Sequence, residues 1–270
     1  MDGIGSIIAI AFSLLYPLVI WFLVKKVRFE DESYRYLFAA FLFGAVVFYL
    51  AAIRKFYTLF LTGYALIGVD LFATGFIEEA VKLLVLILPF IRVRLDEKNG
   101  AFYGLVVGLG FGGGEAIALL APAAANFYIN QIFYFIYLTQ LYSIAIMPLT
   151  QVEIVLVSLF VLPELLSGIS MLSFAVFGPS LMGLSLISVL ERMFVVLFHA
   201  STAAIIGYGL VRGKTLRFYL IAVILHIFIN TFAVLYAIGI IGIIEVEVLL
   251  SVFALVLFVY VLYKKVLRAE

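Results

Sequence analysis

Apolar stretches long enough to cross a lipid bilayer recur along the whole length of this chain. Of its 270 residues, 67% are hydrophobic and only 12% are charged, whereas about 25% are charged in an average soluble domain. A helix needs about 20 apolar residues to span about 30 Å of hydrocarbon. The apolar runs are continuous and lack the period-two alternation of membrane β-strands. These features exclude an ordinary soluble enzyme. They predict an all-α, polytopic integral membrane bundle that forms a single domain over residues 1–270.

We expect about nine transmembrane helices, each set by one apolar run. They are placed near 4–24, 35–53, 57–91, 101–120, 127–147, 152–172, 184–211, 218–238 and 246–263. Basic residues fill the loops on one side and the tail: Lys25, Lys26, Arg28, Arg35, Arg92, Arg94, Lys98, Arg212, Lys214, Arg217, Lys264, Lys265 and Arg268. The opposite loops near 121–126, 173–183 and 239–246 contain no Lys or Arg, and only Arg54 and Lys55 fall on that side. The positive-inside rule therefore predicts an outside N-terminus and a cytoplasmic C-terminus, in a prokaryotic-type plasma membrane.

The stretch 57–91 is too long for one straight crossing and too short for two crossings with a loop. We expect one crossing with a break near Gly63, Gly68 or Gly75, just before two adjacent glutamates. Irregular backbone at membrane depth is tolerated only where it is buried in protein or lines a water cavity. The break would therefore lie beside a polar site.

Net charge and cysteine content exclude some binding partners and some kinds of chemistry. The formal net charge is +1, so we expect no bulk attraction to nucleic acid. Because the chain has no cysteine, disulfides, a thiolate nucleophile and Cys-ligated zinc are all excluded.

Six ionisable residues lie inside stretches apolar enough to sit in lipid: Glu78, Glu79, Lys82, Glu115, His199 and His226. A charge at the bilayer centre costs roughly 2.5 to 3.5 kcal/mol on insertion scales. Such groups need one another, a water-filled cavity, or both. An intramembrane ionisable residue is therefore treated as a functional-site hypothesis.

The acidic groups fall in two helices at matching depth. In Glu78-Glu79-Ala80-Val81-Lys82 the lysine can reach either carboxylate, because residues three and four apart share a helix face. This pattern favours a general base tuned by a lysine, with a structural ion pair as the alternative. Glu115, after three consecutive glycines, lies about 22 Å from the inner end of its helix, at the depth of Glu78. Glu191 and Arg192 are interpreted as interfacial or structural, and Asp70 as a supporting group.

Two histidines and an asparagine complete the candidate site. His199 and His226 are the only histidines in the chain and fall at middle depth in different helices. His226 and Asn230, four residues apart, point the same way and can donate hydrogen bonds to an oxyanion. Carboxylates and imidazoles together suit the activation of water against an acyl carbon. Glu78, His199 and His226 could instead hold a zinc ion, which leaves the cofactor open between none and zinc.

These motifs resemble a superfamily of intramembrane proteases that comprises the PrsW-type, YhfC-type and CAAX/bacteriocin-processing branches. The resemblance rests on Glu-Glu-x-x-Lys, Phe-x-x-x-Glu, a mid-helix His and a final His-x-x-x-Asn, in that order over about 75–231. The stretch Gly-Leu-Gly-Phe-Gly-Gly-Gly-Glu-Ala-Ile at 108–117 is most similar to the YhfC branch. The position of Lys82 is that of the PrsW branch, and Leu119 stands where PrsW-type patterns have Tyr.

The resemblance implies an enzyme that hydrolyses peptide bonds of membrane-embedded or lipidated substrates. It implies that Glu78 is the general base and that His199 helps to activate water. His226 and Asn230 would form the oxyanion hole, while Glu79 and Glu115 support the site. The alternative is a proton-coupled transporter or channel that uses the buried groups as an ion relay. A third interpretation is a non-catalytic binding or chaperone-like membrane protein. Oligomeric state is not indicated.

Overall fold

The computed structural model describes residues 3–53, 60–61, 63–119 and 186–268, and within these ranges every regular element is a helix. In lipid a helix satisfies all its backbone hydrogen bonds internally, which is why apolar segments adopt it. The helices are α1 Gly3–Arg28, α2 Tyr34–Ala52, α3 Gly63–Ile87, the short α4 Pro89–Arg92, α5 Gly100–Leu119, α6 Leu186–Val211, α7 Thr215–Ala237 and α8 Ile243–Val261. A π-helical segment, Leu262–Leu267, extends α8.

Five helical stretches of the described residues are long and apolar enough to cross a membrane: Tyr34–Ala51, Gly100–Leu119, Val189–Val211, Thr215–Ala237 and Ile243–Leu267. These stretches coincide with predicted crossings and indicate an integral membrane protein. Helix α3 is also long, at 25 residues, but it carries the charges of the candidate site. The predicted crossings near 127–147 and 152–172 lie outside the described residues, so the count of nine stays a prediction.

Helix α3 contains no break at membrane depth. It begins at Gly63, whose φ of +59° favours glycine, and it runs continuously through Gly68 and Gly75. The chain instead bends at the other end, where Leu88 is extended and Pro89 starts α4. The predicted break near Gly63 therefore coincides with a helix start, and Glu78 and Glu79 lie on an unbroken helix.

Glycines let α5 pack closely between α2 and α6. A Cβ atom on Gly108 would clash with the carbonyl oxygen of His199, and one on Gly112 would lie 2.7 Å from the Cα of Val196. On another face, Cβ atoms on Gly110 and Gly114 would clash with backbone atoms of α2. Small residues permit this approach of helix backbones in membranes. As a result, α5 is the most enclosed of the five spans in the described residues, with 83% of it buried against 22% for Thr215–Ala237.

The remaining helices surround this core. Helix α6 packs against α7 and α8, and α3 packs against α7 and α2. The Tyr219 hydroxyl of α7 donates a hydrogen bond of 2.8 Å to the carbonyl of Phe76 in α3. This arrangement brings the middles of α3, α5, α6 and α7 together, and these are the helices that carry the predicted site residues.

The loop before α5 anchors that helix at the basic end of the bundle. The Asp96 carboxylate accepts hydrogen bonds of 2.8 Å from the backbone N–H groups of Lys98 and Asn99. The Asn99 side chain donates to Glu32 at 2.7 Å, and the Tyr103 hydroxyl donates to the same carboxylate at 2.9 Å. These contacts tie the start of α5 to the α1–α2 connection.

Candidate active site

Glu79 and Lys82 form an ion pair in the interior of the bundle. Both side chains are fully buried, and the Lys82 Nζ lies 2.7 Å from Glu79 Oε1, one helical turn away. The same oxygen accepts a hydrogen bond from the Thr202 hydroxyl of α6 at 3.2 Å and lies 2.6 Å from Nδ1 of His226 in α7. One carboxylate oxygen therefore joins three helices, a combination that the spacing within α3 alone could not predict.

Lys82 determines how His199 is oriented and protonated. Its ammonium group lies 2.8 Å from Nδ1 of His199 and 3.2 Å from the Thr202 hydroxyl. An ammonium group only donates hydrogen bonds, so Nδ1 of His199 is the acceptor and Nε2 carries the ring proton. That proton points to Glu115, whose Oε2 lies 2.7 Å from Nε2.

Glu115 links His199 to an arginine on the same helix as that histidine. Its second oxygen, Oε1, accepts a hydrogen bond of 2.9 Å from Nη1 of Arg192, which also pairs with Glu191. Arg192 is 13% exposed, so the guanidinium lies within the protein. The sequence places Arg192 seven residues before His199 and so on the same helix face. It does not give the contact between Arg192 and Glu115, which depends on tertiary packing.

His226 presents one nitrogen to Glu79 and the other to Glu78. Because Nδ1 donates its proton to the Glu79 carboxylate, Nε2 is left facing Oε2 of Glu78 at 3.6 Å. That distance is too long for a direct hydrogen bond. The two imidazole rings lie 5.4 Å apart between centroids, and the ring of Phe198 packs edge-on against His226 at 5.3 Å. The two histidines therefore share one site.

A cavity of about 430 Å³ adjoins these groups. Glu78, Glu115, His199, His226 and Asn230 line it, whereas Glu79 and Lys82 lie behind its wall. Within the described residues, the cavity extends along α3 and α7 past Thr74, Asp70 and Ala237. These residues lead away from the loops that carry the basic clusters. The cavity therefore reaches from mid-membrane depth toward the opposite end of the bundle.

Glu78, His199 and His226 could hold a metal ion. Each offers one ligand atom, and these atoms all lie within 4.8 Å of one another. Two ligands of a tetrahedral zinc ion are separated by about 3.4 Å, given bond lengths of about 2.1 Å. The 3.6 Å between His226 Nε2 and Glu78 Oε2 fits this separation. The Nδ1–H contact from His226 to Glu79 is also the usual support of a metal-bound histidine.

The charges of the site also fit a cation. Four carboxylates, Glu78, Glu79, Glu115 and Glu191, face two cations, Lys82 and Arg192. Two negative charges are thus left to be balanced by protons or an ion. Both ring nitrogens of His199 already have hydrogen-bond partners. To bind an ion, His199 would have to release either Lys82 or Glu115.

Comparison with known families gives one match. Residues 32–136 match the model of the PrsW family of intramembrane metalloproteases. No curated protein and no solved structure gives a significant match. The matched range covers less than half of the chain, including Glu78, Glu79, Lys82 and Glu115 but neither histidine. The match supports an intramembrane protease in general, and hence an enzyme. The closer likeness to the YhfC branch stays a prediction.

Proposed function

We propose that this protein is an intramembrane endopeptidase that hydrolyses peptide bonds of membrane-embedded or membrane-associated substrates. One observation carries the proposal. The carboxylate of Glu78 and Nε2 of His226 face each other at 3.6 Å on the wall of a cavity, backed by the Glu79–Lys82 pair. A polar site that encloses water within a membrane suits hydrolysis, and the PrsW match supports this class of reaction.

In this proposal Glu78 acts on the water that attacks the substrate. The carboxylate takes a proton from water, and the water oxygen bonds to the carbonyl carbon of the scissile peptide. Collapse of the tetrahedral intermediate breaks the C–N bond, and the proton passes from Glu78 to the leaving amine. A protonated His226 is stabilised by Glu79 at Nδ1 and donates from Nε2 to the oxyanion. Asn230, on the same cavity wall, supplies the second donor.

The residues that would hold a zinc ion are Glu78, His226 and His199. Such an ion would supply Lewis acidity and lower the pKa of water at the site. Glu79 would orient His226 through Nδ1, and Glu115 would orient His199 through Nε2 if the ion replaced Lys82 at Nδ1. Glu78 is required in either form of the chemistry, as general base or as ligand.

The direction in which the cavity extends indicates the side of the membrane from which a substrate would enter. The cavity extends away from the basic loops, which the positive-inside rule assigns to the cytoplasm. The scissile bond would therefore be reached from the outer side of the membrane. The substrate is accordingly a membrane protein or lipidated peptide with an unwound segment near that surface.

Cleavage of a panel of transmembrane and lipidated peptides by the purified protein in detergent tests the proposal. Products are identified by mass spectrometry for the wild type, Glu78→Gln and His226→Ala, each with and without a strong chelator. Glu97→Gln, whose side chain is 73% exposed, is the matched control. We expect cleavage by the wild type and the control, and at least about a 100-fold loss in both site variants. Sensitivity to the chelator assigns a metal.

A different pattern would support the transporter alternative. If no peptide is cleaved, and ion flux into liposomes depends on Glu78 and His226, the buried groups relay ions and the protease proposal is wrong. Correct folding of both variants, checked by size-exclusion chromatography, makes the two outcomes distinguishable.

A further inference from the structure

Arg192 and His199 lie on the same face of α6, and both side chains contact one carboxylate of α5. Nη1 of Arg192 donates a hydrogen bond of 2.9 Å to Oε1 of Glu115. Nε2 of His199 lies 2.7 Å from Oε2 of the same carboxylate. Each oxygen of Glu115 is therefore held by a different side chain of α6, and together the two contacts fix the plane of the carboxylate.

The guanidinium of Arg192 is itself held in place. Its Nη2 pairs with the carboxylate of Glu191, the preceding residue. The backbone carbonyl of the following residue, Met193, accepts a hydrogen bond of 2.6 Å from the Tyr16 hydroxyl of α1. Arg192 is 13% exposed and forms part of the cavity wall. These contacts hold this turn of α6 against α1 and α5.

Charge pairing alone does not account for the arrangement around Arg192. Glu191 is adjacent in the chain, and its pairing already places an anion beside the guanidinium. The second contact, to Glu115, reaches another helix. It uses the planar fork of an arginine, whose separate N–H groups bind two carboxylates at once. The geometry therefore favours a role in orienting Glu115.

Glu115 in turn holds the ring of His199. Nδ1 of that ring accepts a hydrogen bond from Lys82 at 2.8 Å, and Nε2 donates to Glu115. A carboxylate that loses one of its two partners can turn about its terminal torsion, which has only broad preferences. His199 would then lose a fixed acceptor at Nε2. Its ring lies in the cavity wall, 5.4 Å from the ring of His226 between centroids.

We propose that Arg192 is a positioning residue for the proposed peptide hydrolysis. It fixes Glu115, and Glu115 fixes the imidazole of His199 beside His226. The inference rests on the proposed function, because the position of His199 affects a rate only where His199 takes part in the reaction. A displacement of about 1 Å in such a group can cost about 100-fold in rate. Arg192 acts through Glu115 and does not need to touch the substrate.

Cleavage kinetics of the purified full chain test this role. The substrate is the peptide that the wild type cleaves fastest, and the variants are Arg192→Gln and Arg192→Lys. Arg217→Gln is the matched control, because it removes the same charge from an exposed position at the start of α7. We expect Arg192→Gln to lower kcat about 10- to 100-fold and to change KM by less than about threefold. Arg192→Lys should recover part of the loss, since its ammonium can still bond to Glu115. The control should match the wild type.

The imidazole NMR signals of isotope-labelled histidine give a readout that needs no activity. Because the chain contains two histidines, the variant His226→Asn assigns their signals. In the wild type we expect His199 to be protonated at Nε2, with this proton protected from exchange by Glu115. Arg192→Gln should shift its resonance upfield or lose it to exchange with water, whereas Arg217→Gln should leave it unchanged.

Three results would overturn the proposal. An unchanged His199 signal in Arg192→Gln would show that Arg192 does not orient the ring. A raised KM with an unchanged kcat would assign Arg192 to substrate binding. A loss of activity that only follows the folded fraction, measured by size-exclusion chromatography, would assign it to stability.

The NMR signal also separates failure of this inference from failure of the proposed function. If the protease proposal fails with the peptide panel, a changed His199 signal still supports the orienting role, and an unchanged one removes it. If Arg192→Gln does not fold, Arg192→Lys is measured in its place. Its expected loss in kcat is about 3- to 10-fold, with a shift of the His199 signal in the same direction.

Discussion

Glu78 and Glu79 are neighbours in sequence but occupy different surroundings. Successive residues of a helix point about 100° apart, so one carboxylate lines the cavity while the other joins Lys82, Thr202 and His226. The second oxygen of Glu79 is buried and has no hydrogen-bond partner among the described residues. Glu79 therefore contacts its partners outside the cavity, whereas Glu78 is accessible to a molecule that enters the cavity.

Amide substitutions should separate these two roles. Glu79→Gln weakens bonds to a buried ammonium and an imidazole, so we expect it to lower the free energy of unfolding by about 3 kcal/mol. Glu78→Gln should change it by less than about 1 kcal/mol, because its group lies at the cavity wall. Chemical denaturation of both variants in detergent measures this difference. Equal destabilisation would contradict the division of roles.

Replacing Lys82 alone should destabilise the protein more than replacing Lys82 and Glu79 together. Lys82→Met leaves the Glu79 carboxylate buried without its cation, so we expect a loss of about 3–5 kcal/mol. The double variant Lys82→Met/Glu79→Gln removes both charges and should regain part of this loss. A double-mutant cycle from unfolding midpoints measures the coupling. Additive losses would show that the ion pair contributes nothing to stability.

At the scale of elements, the position of His199 depends on how closely α5 approaches α6. Gly104, Gly108 and Gly112 lie at intervals of four residues along α5 and meet the backbone of α6 at Ala203, His199 and Val196. Because such contacts involve backbone atoms, a side chain cannot be accommodated by a change of rotamer. The glycine face of α5 thus sets the distance at which Glu115 reaches His199.

Adding one methyl group to this face should disturb both stability and the site. We expect Gly108→Ala to lower the free energy of unfolding by about 1–3 kcal/mol through overpacking. Gly68→Ala is the matched control, since a Cβ atom there meets nothing within 4 Å. Alanine at that helical position should be neutral or slightly stabilising. Thermal unfolding of the two variants tests the contrast, and similar midpoints would argue against tight α5–α6 packing.

At the scale of the whole molecule, the polar groups are segregated by depth. The loops that hold most of the basic residues lie at one end of the bundle, the network of Glu79, Lys82, His199 and Glu115 lies in the middle, and the cavity leads toward the other end. Charges in the middle are stabilised by one another, because lipid cannot solvate them. Among the described residues, the cavity leads from the middle of the bundle toward the end opposite the basic loops.

Cysteine labelling tests this orientation, since the natural chain contains no cysteine. Ala233→Cys introduces a thiol in the cavity and Lys98→Cys introduces one in a basic loop. We expect a membrane-impermeant maleimide to label Ala233→Cys in intact cells and Lys98→Cys only in inside-out vesicles. Labelling with the opposite sidedness would invert the topology and the direction of substrate entry.

The sequence alone was enough to predict much of the described fold. Lipid requires helices, so the lengths of apolar runs predicted α1, α2, α5, α6, α7 and α8 to within a few residues. Regular helix rise placed Glu78, Glu115, His199 and His226 at one depth, where the structure brings them together. Of the three positions expected for a break within 57–91, Gly63 is where α3 begins, whereas the helix is continuous through Gly68 and Gly75.

The depth of a residue in the membrane depends on its own helix, whereas its contacts also depend on the neighbouring helices. The sequence could place a residue along its own helix because rise per residue is constant. It could not give the rotation of each helix or its neighbours, which depend on side-chain packing between segments more than a hundred residues apart. Tertiary structure therefore decided that Lys82 meets His199, that Arg192 joins Glu115, and that Glu78 faces the cavity.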